Sequence, residues 1–533
     1  MLECSVNNSD KIPFWYKESV LYVVYPDAFT GKSKFGFDNL TDHLPVLKKM
    51  GIGAVHVLPF LESPMLDAGF DVSDYTAVSV TLGGNQALDK FLQSAKQHNL
   101  RIFMDLVVNH ISIEHEWYCK AMQGSEKHRN YFIHSTKKPV LLGIESDKTG
   151  KWAKYKLGRR VLRSRIIFLE NGDELLHWTH GDDGNWYYHT FYPHQIDLNW
   201  TNPDVYKEFA EIIKYWASKG MNFRIDAAPF VGKSLTGIMK ESSSESHIVV
   251  KKLHAIAKEI DPECTFLLEA CQPIQKVKKY FGSDLEPESE LAYNFPLMHA
   301  MWAAIMAQDN KYIWDALKKT QTIPAGAQWV TFLRNHDELS LEYASDKVRN
   351  VVYASLVDKS LAFRGEYGVA GRTASFLKNN LKRILMSHLL LASLNGSPAI
   401  VYGDEYGKVT NKRLIKIDTR DSNRGVLTEK AQESHKAKRI LEGITSIFAA
   451  RSSYSWIATA KPTRLRVSKG IFGVCYSNST EVLYIYINLN SKFKKQSIKI
   501  ANSKVVLTVN GSKISNNIVS LPAYSGIWLS EKL

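Results

Sequence analysis

The sequence predicts an α/β fold: a closed (β/α)8 barrel with an insertion after the third strand and an antiparallel β domain at the C-terminus. Three observations predict it. Short apolar runs alternate with stretches of helical periodicity, the mark of parallel β-α-β units. Eight such runs can be counted, a number that favours a closed barrel over an open doubly wound sheet. Past about residue 456 the runs become short and alternating, with Asn, Gly and Ser between them, as in antiparallel sheet.

The elements follow in order. SVLYVVYP (Ser19–Pro26) reads as the first strand, GAVHVLPF (Gly53–Phe60) as the second and LRIFMDLVV (Leu100–Val108) as the third. Between them, Asn39–Gly51 and Asn85–Asn99 carry apolar residues at helical spacing, the former with a glycine stop. From His110 to Ile196 the text is aromatic, charged and irregular, which reads as an inserted lid-like subdomain, 110–196. The alternation resumes with the helix VYKEFAEIIKYWASKG and the strand NFRIDA, then the helix HIVVKKLHAIAKEI and the strand TFLLEA. ELAYNF, WVTFLRN and SPAIVYG complete the eight strands. The expected domains are a barrel, 1–109 and 197–455, the insertion, and a C-terminal β-sandwich, 456–533.

Composition narrows the class. The chain has 533 residues, 44% hydrophobic and 23% charged, so disorder is not expected. No apolar run is long enough for a membrane span, and the N-terminus lacks the basic and apolar regions of a signal peptide, so a cytoplasmic location is expected. Cys4, Cys119, Cys264, Cys271 and Cys475 are odd in number and scattered, which favours free thiols over disulfides or a zinc site. The net charge of +14 reads as a Lys-rich solvated surface, because the lysines are spread along the chain with only short clusters such as SKFKKQ (Ser491–Gln496). No nucleic-acid or membrane partner, cofactor or metal is expected.

In such a barrel the chemistry sits at the C-terminal strand ends. Strand three ends in Asp105, Asn109 and His110, strand four in Arg224 and Asp226. Strand five ends in Glu269, and strand seven in Asn335, His336 and Asp337. A single strand-end Asp is usually a helix cap, as Asp226 before AAPF could be. Three carboxylates on separate strands, with an arginine and two histidines, fit glycosidic bond chemistry instead. One carboxylate attacks the anomeric carbon and a protonated one feeds the leaving oxygen, about 5–5.5 Å away in a retaining enzyme. Arg224 is expected to hold Asp226 ionised.

These stretches resemble the signature regions of the α-amylase superfamily, glycoside hydrolase family 13. DLVVNH (Asp105–His110), FRIDAA (Phe223–Ala228), LLEA (Leu267–Ala270) and LRNHDE (Leu333–Glu338) resemble its four regions in order. HQIDLNW (His194–Trp200) resembles the short motif that ends its inserted domain. The resemblance implies Asp226 as nucleophile, Glu269 as general acid/base and Asp337 as the third carboxylate. It implies Arg224, His110 and His336 as ligands of the sugar at the cleaved bond. Glu269 then needs a raised pKa, to which the apolar approach TFLL contributes.

Finer likeness is to trehalose synthases, then to amylosucrases and oligo-α-glucosidases, which act on small α-glucosides from the non-reducing end. FLRNHDELSLE, EACQPIQKVKKYFG and SRIIFLE (Ser164–Glu170) carry it. ESPMLDAGFDVSDY (Glu62–Tyr75) resembles the loop that closes their sugar pocket, and implies a salt bridge from Asp67 to Arg424. Phe70 replaces the family's stacking tyrosine, keeping the ring and losing a hydroxyl. The T-P-M-Q-W stretch of trehalose synthases is absent, and IDTRDSNRGVLTE stands in its place. The first barrel loop, DAFTGKSKFGFD, has Lys32 and Lys34 where a calcium site needs oxygens, so no calcium is expected there. The alternatives are an endo-acting α-amylase, whose cleft would lack the Asp67 plug, and a catalytically inactive sugar-binding relative, which the three carboxylates disfavour. Trp117, Trp186 and Tyr187 in the insertion read as local core rather than sugar platforms.

Overall fold

A computed structural model describes residues 14–533 apart from 148–149, 168–175, 236–237, 240, 357, 364, 417–418 and 501–502. Cys4 and the leader reading of the N-terminus lie outside the described residues, as do the last residues of SRIIFLE.

Eight parallel strands close into a barrel: β1 (Val20–Val24), β2 (Ile52–Val57), β3 (Arg101–Leu106), β4 (Met221–Ile225), β5 (Phe266–Leu268), β6 (Leu291–Tyr293), β7 (Gln328–Phe332) and β8 (Ser397–Val401). Closure is made by β1, which pairs with β2 on one side and with β8 on the other. The strands are apolar runs with no polar face because both their faces are covered. VLYVV, MNFRI and SPAIV are buried at every position.

The helices start where side chains cap them. Asn202 accepts from the Asp204 N–H ahead of Pro203, opening the helix Pro203–Ser218. Ser243 caps Ser244–Ile260, and Ser434 caps His435–Ser453. The helix Phe295–Ala307 is buried almost all round, as its sequence FPLMHAMWAAIMA requires.

The insertion is more regular than its sequence suggests. Val140–Asp147, Gly150–Leu157 and Arg160–Arg165 form an antiparallel meander over a small core of Ile133, Tyr155, Leu162, Trp178 and Tyr188. Val140, Leu142, Ile144 and Val161 are exposed on these strands, so burial does not alternate in step with polarity and the pattern is hidden in the text. Trp178–His180 and Trp186–Tyr188 make a second small sheet. Trp117 and Tyr187 are buried core, as expected of them. The strand Ile238–Met239, from the barrel segment after β4, pairs in parallel with Arg163 and Ser164 of the insertion. Barrel and insertion therefore share one hydrogen-bonded sheet.

The C-terminal strands form a five-stranded and a three-stranded sheet. The larger sheet turns Phe472, Tyr476, Ile485 and Trp528 toward the barrel core, and Ile471, Ile527 and Leu529 toward the smaller sheet. Tyr476 and Trp528 bond to the Ser393 carbonyl and hydroxyl at 3.0 Å each, fixing the domain on the barrel.

Candidate active site

Register brings the first charges together. Arg224 on β4 stands beside Asp105 on β3 and Leu267 on β5. Its Nη1 donates to Asp105 at 2.6 Å and to Asp226 at 2.5 Å, and its Nη2 meets Glu269 at 2.5 Å. The guanidinium is 1% exposed. Its planar fork is suited to holding several carboxylates at fixed angles. Asp226 lies one residue past the strand, where its N–H bonds to Leu106 O at 3.2 Å. It is not a helix cap. Ala227 follows in the left-handed region, at φ 47°, and bends the chain so that Ala227, Pro229 and Phe230 continue the cavity wall.

Arg224 pulls Asp226 toward the ionised form as expected, but burial opposes that pull and outweighs it. Three buried carboxylates share one guanidinium. Asp105 is held low despite its burial, by Arg224 and by His56, whose Nε2 meets it at 3.1 Å. Burial, with repulsion from Glu269 and Asp105, pushes Asp226 well above the usual carboxylate range against the pull of Arg224. Burial and the charges of Asp337 and Asp105 raise Glu269 likewise. Burial thus raises both Asp226 and Glu269, while the Arg224 they share pulls each of them down.

Asp337 is tuned the other way. Burial pushes it up, but His336, Arg420, Arg424 and Arg224 outweigh that and hold it well below the ordinary range. His336 Nε2 lies 3.2 Å from its carboxylate, yet burial lowers His336 itself to about 3, so the imidazole faces Asp337 neutral and the arginines carry the charge. Arg420 and Arg424 approach Asp337 at 3.6 and 3.4 Å. Its backbone is anchored by Arg334, which donates to Asp337 O at 2.6 Å.

The expected Asp67–Arg424 salt bridge is not formed. Asp67 pairs with Arg420 at 3.5 Å and accepts from Gln195 at 3.0 Å, while Arg424 serves Asp337 and Asp421. The reason is the short 3-10 helix Thr419–Asn423, which aims Arg420 across the mouth and Arg424 behind it. Asp71 builds the facing loop: its carboxylate accepts from Ser63 and from the N–H groups of Leu66 and Asp67. Met65 and Ala68 take left-handed backbone there, at φ 62° and 51°.

Asp67, Phe70, His110, Asp226, Glu269 and Asp337 line one cavity of about 160 Å³. Arg420 lines it too, whereas Arg224, His336 and Arg424 stand behind the lining carboxylates. The Phe70 ring stacks on His336 at 5.5 Å, and His110 Nε2 donates to Phe70 O at 3.2 Å.

Sequence reasoning missed several residues. His56 is the one polar side chain of β2 turned onto Asp105, and a histidine inside GAVHVLPF was a usable signal. Lys233 is buried with its ammonium on Asn109 Oδ1 at 2.5 Å, on Asp197 at 2.8 Å and on Phe230 O. It thereby joins the start of the insertion, its end and the segment after β4. Arg165 of the insertion lines the outer cavity, bonding Glu241 at 2.8 Å, the Tyr343 hydroxyl at 3.1 Å and Glu342. Gln272 also donates to Glu241. No local sequence signal marks that cluster, since its members come from four segments. In the first barrel loop the Ser33 hydroxyl donates to Asp38 at 2.8 Å and Asn39 closes on Ser33, with Lys32 and Lys34 exposed.

Comparison with known proteins adds the relationship. The α-amylase catalytic domain model matches residues 23–358. Trehalose synthase of Pimelobacter sp. (strain R48) is 31% identical over 412 residues, 75% of this chain and 68% of that enzyme. Trehalose synthase of Thermus thermophilus is also 31% identical, over 75% of this chain but 40% of that longer protein. The crystal structure of Bacillus licheniformis trehalose-6-phosphate hydrolase superposes with TM-score 0.71 at 18% identity, covering 97% of this chain and 99% of that one. The chain belongs to the α-amylase family of α-glucoside-active enzymes, glycoside hydrolase family 13.

Proposed function

We propose that the protein is a retaining enzyme that moves single α-glucosyl units from the non-reducing end of small α-glucosides. One observation carries the reading. Asp226 and Glu269 are bound to the two arms of one guanidinium, across a cavity that Asp67 and Arg420 close at 3.5 Å. A plugged cavity admits a terminal sugar and stops a chain from threading through, which weighs against endo action on long glucans.

The steps follow from the charges. With substrate bound, the proton resides on Glu269, whose carboxyl burial raises, and Asp226 is anionic beside Arg224. An Asp226 oxygen bonds to the anomeric carbon as the glycosidic bond breaks, and Glu269 gives its proton to the leaving oxygen. Glu269, now ionised, takes a proton from the incoming hydroxyl, which releases the sugar from Asp226. Asp337 stays ionised and binds ring hydroxyls, and negative charge around the cavity favours the oxocarbenium-like state. Arg165, held by Glu241 and Tyr343, walls the side where the leaving sugar sits. The enclosure, and the trehalose synthase names of the relatives, support a glucosyl disaccharide of maltose or trehalose type as donor. They also support a sugar as the favoured acceptor.

Two measurements test this. Asp226→Asn is expected to abolish turnover of every α-glucoside while leaving the melting temperature near that of the parent. Retained turnover removes Asp226 from the nucleophile role. Chromatography of products from maltose, trehalose, sucrose and starch is expected to show glucosyl transfer or release from disaccharides. Internal cleavage of starch with maltose untouched overturns the plugged-cavity reading.

A further inference from the structure

The surplus of positive charge is concentrated in space, although the lysines look dispersed in the text. Residues 456–533 hold eleven Lys and Arg against two Asp and Glu. Those two carboxylates, Glu481 and Glu531, lie in the five-stranded sheet, where they accept from Ser530 and Tyr484. The lysines gather on the other sheet. Lys495 and Lys513 both stand in register beside Ser520, on neighbouring strands, so all three share a face. Burial alternates strictly from Phe493 to Ile500, which puts Phe493, Lys495 and Lys499 on that same outer side. Phe493 is 54% exposed and Ile518 39%. Lys492, Lys495, Lys499 and Lys513 are exposed and have no carboxylate partner among the described residues. The inner face of this sheet packs on the larger sheet through Val519 and Leu521, so the outer face points away from the barrel.

We propose that this face docks the protein on an anionic lipid surface. Unpaired lysines around two exposed apolar side chains fit a layer of negative headgroups, with Phe493 and Ile518 entering it. No described helix is long and apolar enough to cross a membrane, so the contact is peripheral. A nucleic acid fits less well. Single strands are held by successive aromatic platforms in a basic groove, and this open sheet face offers one exposed ring.

The test uses the full chain and flotation with vesicles of phosphatidylcholine, with or without phosphatidylglycerol. The expected result is binding to the anionic vesicles alone, lost near about 1 M salt, where the screening length falls to about 3 Å. The combined Lys492→Glu, Lys495→Glu and Lys513→Glu variant is expected to bind at least about tenfold more weakly. Phe493→Ser is expected to weaken binding without changing its salt dependence. Both variants should keep parental melting temperature and turnover of a small α-glucoside, since these side chains are exposed and remote from the site. Equal binding to neutral vesicles, or undiminished binding by the lysine variant, overturns the proposal. So does a single-stranded oligonucleotide that displaces the protein from vesicles through the same lysines, which would assign the face to nucleic acid.

Discussion

Arg420 and Arg424 sit four residues apart and serve different carboxylates. Arg420 reaches Asp67 across the mouth, while Arg424 backs Asp337. Arg420→Ala is expected to lower kcat/KM on disaccharides roughly tenfold or more, the scale of a lost charged hydrogen bond, and to admit longer glucans. Comparing rates on maltose and on a maltooligosaccharide series checks it. Arg424→Ala is expected to act through Asp337. Removing a cation lets that carboxyl rise from its depressed value and loosens its hold, so KM for disaccharides is expected to rise; an unchanged KM removes Arg424 from that role. The two roles mark how far the sequence reaches. Asp226, Glu269 and Asp337 were legible because each ends an apolar run, and the run fixes where the next residue points. Arg420 and Arg424 come from a loop with no periodic pattern, so the text offered both and favoured the wrong one. The opposed pulls on Asp226 were also hidden, since they depend on Asp105 and Arg224 meeting in register.

The joint between insertion and barrel is an element-scale device. Lys233 ties Asn109 and Asp197, which flank the first and last insertion strands, His110–Ser112 and Gln195–Asp197. Lys233→Met leaves a carboxylate and an amide oxygen buried without their cation. The expected loss is about 3–5 kcal/mol of stability, read as a lower denaturant midpoint. Asn109 Nδ2 also lies 3.1 Å from His110 Nδ1, so sugar binding should weaken with it. A change under about 1 kcal/mol, the usual worth of an exposed pair, shows the joint to be dispensable. This joint could not be read from the chain, because its three partners lie 88 and 124 residues apart in sequence. The meander of the insertion was hidden for a simpler reason. Its strands expose Val140, Leu142, Ile144 and Val161, so polarity does not follow burial, and their inward residues pack on a core of only a few side chains.

At the scale of the molecule, buried histidines set the response to acid. Burial lowers His336 and His189 to about 3, and His43, His115, His177 and His299 to about 4. In the unfolded chain each titrates near about 6.5. Below that pH the unfolded state binds more protons, so stability falls as pH is lowered. Each such histidine contributes about 1.4 kcal/mol per pH unit until its folded pKa is reached. Melting temperature is therefore expected to drop steeply between about pH 6.5 and pH 4, and replacing His189 with a similarly sized neutral side chain should flatten the slope. A flat profile above pH 4 contradicts the burial of these rings.

Barrel closure has a consequence for synthesis. The last barrel strand to leave the ribosome, β8, is the partner the first strand needs. At about 5–20 residues per second, the edge of β1 waits roughly 20 to 75 s after its own emergence. During that interval the nascent barrel is an open sheet with an apolar rim, the state in which chaperones or misassociation would act. Asp226, Glu269 and Asp337, which follow β4, β5 and β7, are made in this period, whereas Arg420, which closes the mouth against Asp67, follows β8.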